Sequence, residues 1–238
     1  KGHEADLHEM QESYAKRGHG GLTFLKDEGA IRAHVGTSTY HSALHEAGAG
    51  HIQPLKYLQG LAKAASKAGA DIHQNTLIDA IDHDACNLTS ADGQMFKGRH
   101  LLLCGNAYLQ GTAPGKMRRT LAQVTSSVLA TAPLSDNLAA MVLPQKDAVA
   151  DGNAALNYYR LDAQNRMIFG GRASYMIPDN PAIVSNDLRK RMLSVFPELA
   201  DCEIAHIWSG RIGITVSRIP QFGQLSANCT YVQGFSGH

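Results

Sequence analysis

The chain has 238 residues, with 22 Lys and Arg against 21 Asp and Glu, a formal net charge of +1, and 44% hydrophobic residues. Dispersed basic residues and few aromatics argue against a nucleic-acid surface, and no apolar run approaches the roughly 18 residues of a membrane span. The polar opening "KGHEADLHEM" is not a signal peptide, and Cys86, Cys104, Cys202 and Cys229 form no C-x-x-C pair, so the expectation is a cytoplasmic protein with reduced thiols.

Residues 1 to 17 read as a polar helix, and "KDEGAIRAHVG" as a short second helix ended by Gly36. "HSALHE" makes a poor buried strand. Pro54 opens a clearer helix, in which Leu55, Leu58, Leu61, Ala62 and Ala65 share one face and Gly69 marks the stop. "DIHQNTLIDAI", a hairpin-like stretch around "SADGQMF" and the run "HLLLCGNAY" follow, and the pure Leu101 to Leu103 run is typical of a central parallel strand. From about Lys116 the texture becomes β-rich: "QVTSSVLATAPL", then "NYYRL" and "RMIFGG" joined by the turn-forming "DAQN". A helix over "SNDLRKRMLSVFPEL" precedes two further strands, in "CEIAHIWSGRIGITV" and "TYVQGF". The pattern predicts an α/β lobe and an α+β lobe, the last strand returning to the first lobe.

Several groups could carry chemistry. His41, His45 and His51 fall within eleven residues, and an i, i+4 pair on a helix could face one metal ion, but Gly48 and Gly50 interrupt the helix, and solvated loop histidines are the preferred reading, with no metal expected. "GAGHIQ" imitates half of a dinucleotide fingerprint and lacks its third glycine. On a strand, Tyr158 and Arg160 share one face and Tyr159 the other, so an Arg beside a Tyr could hold a substrate carboxylate, or be an ordinary strand face. Arg172, Arg211 and Arg218 are alternatives. The closing "YVQGFSGH" places glycines and a serine after a strand, the composition of a loop that approaches a ligand closely, or of a surface turn.

Taken together, "GAGHIQPLKYLQGLAKAASKAGADIHQNTLIDAI", "HLLLCGNAYLQG", "YYRLDAQNRMIFGGR" and "WSGRIGITVSRIPQFGQL" with "YVQGFSGH" resemble the FAD-dependent amine and amino-acid oxidases of the D-amino-acid oxidase superfamily, which includes glycine and sarcosine oxidases, and within it the gamma-glutamylputrescine oxidase branch. The resemblance implies an α/β plus α+β fold: a partial FAD/NAD(P)-binding-type lobe with an antiparallel-sheet substrate lobe. Residues 1–49 would be a helical lead-in, 50–112 the middle segment of the FAD lobe, 113–218 the substrate lobe and 219–238 the start of the returning FAD segment. It also implies cofactor contacts at Ile78, Cys104, Gly105, Asn106, Tyr108, Trp208, Gly210, Ile212, Gly213, Gly234, Ser236, Gly237 and His238, with Tyr158, Arg160, Arg211 and His51 near the substrate. Backbone N–H groups of Gly234, Ser236 and Gly237 would face the charge of the reduced ring. The implied reaction is oxidation of an amine or amino acid to an imine, with molecular oxygen as acceptor and peroxide released. No Gly-x-Gly-x-x-Gly occurs in the 238 residues, so the chain reads as a fragment without the first βαβ unit, inactive by itself, a weak FAD binder, and open to self-association at a sheet edge. An inactive interaction domain of the family and a histidine-cluster metal protein are the other readings.

Overall fold

The structure is a computed structural model that describes residues 4–109, 111–153, 156–174 and 180–237. In chain order the elements are α1 (Glu4–Lys16), β1 (Leu22–Leu25), α2 (Glu28–Arg32), β2 (Ala43–Glu46), α3 (Pro54–Lys67), β3 (Ile78–Asp82), β4 (Asn87–Ser90), β5 (Met95–Lys97), β6 (Leu101–Leu103), α4 (Gly115–Arg118), β7 (Ala122–Thr131), α5 (Asp136–Val142), β8 (Val149–Ala150), β9 (Tyr158–Leu161), β10 (Met167–Ser174), α6 (Pro181–Val195), β11 (Ile204–Ile214), β12 (Gln221–Ser226) and β13 (Cys229–Gln233). Short 3-10 turns cover Asn106–Leu109 and Pro197–Leu199. It is a mixed α/β fold with antiparallel sheets. No helix among the described residues is long and apolar enough to cross a membrane.

Local chemistry starts and stops these elements. Side-chain oxygens of Asp27, Ser135 and Asn180 accept from Ala30, Leu138 and Ala182 N–H and cap α2, α5 and α6. Pro181 occupies the first turn of α6, whose Val184, Leu188, Met192 and Val195 form one buried stripe. In the β9–β10 turn, Asp162 Oδ1 accepts from Gln164 N–H at 2.8 Å and Arg166 N–H at 2.9 Å, and Asn165 takes a φ of 58°.

The strands form four sheets, ordered β1-β2, β11-β7-β10-β9-β8, β12-β13-β6 and β3-β4-β5. β13 pairs parallel with β6, Tyr231 opposite Leu103, so the last strand does return to the earlier segment. Leu101 to Leu103 is therefore parallel but stands at the end of its sheet among the described residues, with Leu102 63% exposed, and not at a sheet centre. "HSALHE" also differs from expectation. Its Ala43–Glu46 stretch pairs antiparallel with Leu22–Leu25 and is half-buried, because a two-stranded ribbon needs no continuous apolar run. The segment expected to be a helical lead-in thus holds two strands besides its helices, and β12 is a strand that the sequence pattern did not separate.

The chain divides into two compact units. The first comprises 1–57, 127–172 and 178–208. Its core joins Leu129, Leu143, Tyr159, Leu161, Met167 and Phe169 to the α6 stripe and Phe196. The second comprises 58–126, 173–177 and 209–238, with a small core of Leu103, Met117, Cys229 and Tyr231. All four cysteines are free thiols.

Candidate active site

In the second unit the chain after β13 is tied down by its own backbone. Gly234 N–H donates to Asn106 Oδ1 at 2.9 Å, and Ser236 N–H donates to the Gly213 carbonyl at 2.9 Å. Asn106, Gly234, Ser236 and Gly237 all take positive φ, of 48°, 77°, 57° and 92°, so two of the four have paid backbone strain that a glycine does not incur. A Cβ at Gly213 would collide with Asn106 Oδ1, and one at Gly234 with Thr215 Cγ2. Both glycines are therefore required by close packing. Gly237 differs: a Cβ there would meet nothing nearer than Ile212 Cδ1 at 3.9 Å. The inner face of the loop is locked and its outer face is open.

Two of the three N–H groups expected to face a reduced flavin are thus engaged inside the protein, which leaves Gly237 N–H as the member of the trio with no partner among the described residues. The same cluster brings in Tyr108, whose hydroxyl accepts from Arg211 N–H at 3.1 Å. Gly105 is packed beneath Leu109, while Cys104 and Arg211 are exposed. Gly210, Ile212 and Gly213 lie on β11 in this unit, and Ile78 is the first residue of β3, half-buried. Trp208 belongs to the first unit and is 47% exposed. His238 lies outside the described residues. An open, rigid backbone edge beside an exposed tyrosine fits the rim of a planar ring such as the flavin, which binds through backbone N–H groups and flat apolar contact.

In the first unit a different set converges. Arg160 Nη1–H donates to His51 Nδ1 at 2.8 Å, and the other ring nitrogen of His51 lies 3.2 Å from the Lys146 carbonyl. Because guanidinium can only donate, Nδ1 must offer its lone pair, so the ring proton sits on Nε2 and donates to Lys146. Geometry fixes the neutral tautomer. Arg160 and Tyr158 are both half-buried on one face of β9, with Tyr159 and Leu161 buried on the other, as strand alternation requires. The Tyr158 ring lies over Gly170, where any Cβ would collide with it. Sequence reasoning held His51 and Arg160 as separate candidates; that they touch across 109 positions had no local signal.

Beside them lies a group that sequence reasoning missed. His34, His45 and Asp147 converge, with ligating atoms within 4.8 Å of one another, while His41 is exposed and His51 is bound to Arg160. His41 and His45 are not a helical pair, since His45 stands on β2.

Comparison with known proteins places the chain. It is 34% identical over 235 residues to gamma-glutamylputrescine oxidoreductase of Escherichia coli, covering 98% of this chain and 54% of that protein. It is 34% identical to the probable oxidoreductase OrdL of Haemophilus influenzae, with the same coverages. The chain spans about half the length of the curated relatives it matches. L-proline dehydrogenase from P. horikoshii shares the fold with a TM-score of 0.78 at 15% identity, over 99% of this chain and 65% of that one. Glycine oxidase from Geobacillus kaustophilus does so with a TM-score of 0.77 at 19% identity, over 97% and 62%. The model of the FAD dependent oxidoreductase family, DAO, matches residues 2–238, and the chain belongs to that family.

Proposed function

We propose that this chain forms the substrate side and part of the flavin side of an enzyme that oxidises the C–N bond of a small amine or amino acid, of the gamma-glutamylputrescine kind. The observation that carries this reading is the Arg160–His51 pair, set within a chain of the FAD dependent oxidoreductase family. Substrate oxidation removes a hydride from the carbon bearing nitrogen and a proton from nitrogen, and water then converts the imine to a carbonyl and releases the nitrogen as ammonia, or as the smaller amine from a secondary amine. Bound FAD would supply the hydride acceptor at this site, and molecular oxygen would be the final two-electron acceptor, reduced to hydrogen peroxide.

Arg160 supplies a planar donor fork for a substrate carboxylate. A carboxylate that takes over Nη1–H releases His51 Nδ1, whose lone pair then accepts a proton from the substrate ammonium. The amine must lose that proton before its C–H bond can transfer hydride, so for an α-amino acid, whose carboxylate and ammonium share one carbon, binding at Arg160 and activation at His51 are linked. Tyr158 shares the Arg160 face of β9. Arg211 is the next candidate anchor. Gly237 N–H, with the surrounding Asn106, Tyr108, Gly210, Ile212 and Gly213, orients the cofactor ring, and Ile78, Cys104 and Gly105 line the nucleotide side. We further propose segments 50–112 and 219–238 for the FAD lobe and 113–218 for the substrate lobe.

The test uses the FAD-loaded protein that contains this chain, mixed anaerobically with gamma-glutamylputrescine or a small amino acid. Flavin bleaching on mixing, and peroxide on admitting oxygen, are expected. Arg160→Lys should raise KM with little change in kcat, because the charge stays and the fork is lost. Gly237→Val, strained at a φ of 92°, should weaken flavin retention by roughly tenfold without lowering the melting temperature of the apoprotein comparably. A loaded protein that no amine or amino acid bleaches would overturn the reading.

A further inference from the structure

The His34, His45 and Asp147 cluster has no part in the chemistry above. His34 lies in the turn that closes α2, His45 on β2, and Asp147 between α5 and β8, so three separate elements deliver one ligand each. His34 Nδ1 is 2.8 Å from Asp147 Oδ2, and His45 Nε2 is 3.9 Å from Asp147 Oδ1. The two imidazole rings face each other with centroids 4.2 Å apart, tilted by 39°. Each of the three side chains is about a quarter exposed, at 26%, 27% and 28%.

Two imidazoles at this distance repel when both are protonated, yet each presents a nitrogen towards one carboxylate. A divalent ion resolves that arrangement better than protons do, because it accepts both lone pairs and the carboxylate charge at once. We propose that His34, His45 and Asp147 form a zinc site of two imidazoles and one carboxylate, with the partial exposure leaving a fourth position for water. Entry of zinc displaces the proton held between His34 and Asp147 and parts those two atoms by about 0.5 Å, to the separation that ligands of a tetrahedral ion with bonds near 2.0–2.1 Å require.

The backbone around the cluster is already stiff. Gly36 N–H donates to the Val142 carbonyl at 3.0 Å, tying the turn after α2 to the end of α5, and a Cβ at Gly36 would collide with the Met141 carbonyl. Lys146 N–H donates to Leu143 O at 3.0 Å, and the Lys146 carbonyl accepts from His51. Lys146, the residue before Asp147, is therefore held through both its N–H and its carbonyl before any ion arrives, which reduces the ordering cost of binding. The site clamps α2 and β2 to the segment that also supports His51.

The chain, freed of metal and given zinc, is titrated against a chromogenic chelator of micromolar zinc affinity, and X-ray absorption is recorded on the loaded protein. One equivalent is expected, with a nitrogen and oxygen shell near the usual zinc–imidazole distance and the multiple-scattering signature of two imidazoles. His34→Ala and His45→Ala should each weaken binding by about tenfold or more, and His41→Ala should leave it unchanged. No retention of zinc, a sulfur shell from the free cysteines, or undiminished affinity in both histidine variants overturns the site. Should a variant fail to fold, the absorption spectrum of the unaltered protein decides by itself.

Discussion

The two units bury their apolar residues very differently. Among the described residues the first unit gathers sixteen buried side chains into one cluster that includes the α6 stripe, whereas the second gathers four around β6 and β13. Large apolar side chains stand exposed in both units, among them Ile52 at 60% and Ile183 at 59% in the first, and Leu77 at 72% and Phe222 at 79% in the second, so the contrast lies in what is buried. Stability from burial scales with apolar area removed from water, so the first unit holds most of the folding free energy available from burial. The second holds its shape through specific polar ties. Gln233 Nε2 donates to Met117 O, Thr120 Oγ1 and Gln221 Oε1 at 3.0 to 3.1 Å, and Asn106 takes up Gly234 N–H.

The comparison is sharpened most by emptying the first core. Phe169 is fully buried and stacked on Tyr159, with ring centroids 5.5 Å apart and an interplanar angle of 1°. Phe169→Ala removes that ring and leaves a cavity that packed neighbours cannot close, with an expected loss of about 3–5 kcal/mol. Chemical denaturation should show the transition of the first unit moving to lower denaturant, and hydrogen exchange should accelerate in β9 and β10. Equal acceleration in β6 and β13 would show that the two cores unfold as one.

A smaller effect separates a polar tie inside that core from its packing. Tyr159 OH donates to Tyr40 OH at 2.9 Å. Burial pushes the Tyr40 phenol up to about 12, and burial raises Tyr159 further, with the neighbouring Tyr40 adding to the shift. Tyr40→Phe leaves the Tyr159 hydroxyl buried without its acceptor and should cost about 1–3 kcal/mol, while Tyr40→Phe with Tyr159→Phe should cost less, because both polar groups go together. The sign with pH follows from the raised values. An unfolded phenol ionises near pH 10 and the folded pair does not, so the contribution is complete below about pH 10 and is lost as pH rises towards about 12. Urea denaturation between pH 8 and 12 measures this, and an alkaline loss as steep in the double variant would assign it elsewhere.

What could be read in the sequence follows the same division. The first unit was legible where a single chemical rule acted locally: the α6 stripe by its helical period, the β9–β10 hairpin by "DAQN", and the alternation of Tyr158, Tyr159 and Arg160 by strand geometry. The return of the last strand to the earlier lobe was legible, but its parallel pairing with β6 and the place of β6 at the sheet end were not, because Leu101 to Leu103 looks the same at centre and edge. The site was legible only residue by residue. His51 meets Arg160, and His34 and His45 meet Asp147, across a hundred or so positions, and no spacing rule encodes such meetings. The histidine grouping read as solvated loop histidines, whereas β2 spends that stretch in a ribbon and turns His45 towards a partner 102 residues further on.

The smallest expected effect concerns the exposed face of α3. Leu58 and Leu61 are 62% and 50% exposed, so neither removes much apolar area from water within the chain. Replacing both with Gln retains helix propensity, since Leu and Gln rank close together, and deletes few packing contacts. The change in folding stability should stay within about 0.5 kcal/mol, as for other surface substitutions. An apolar dye reports the same face in another way: contiguous exposed leucines bind it, and glutamines do not. Leu58→Gln with Leu61→Gln should therefore lower dye fluorescence clearly while leaving the denaturation midpoint in place. A destabilisation of several kcal/mol would mean that the α3 face is covered in solution, and that the contrast between the two units is smaller than their buried residues suggest.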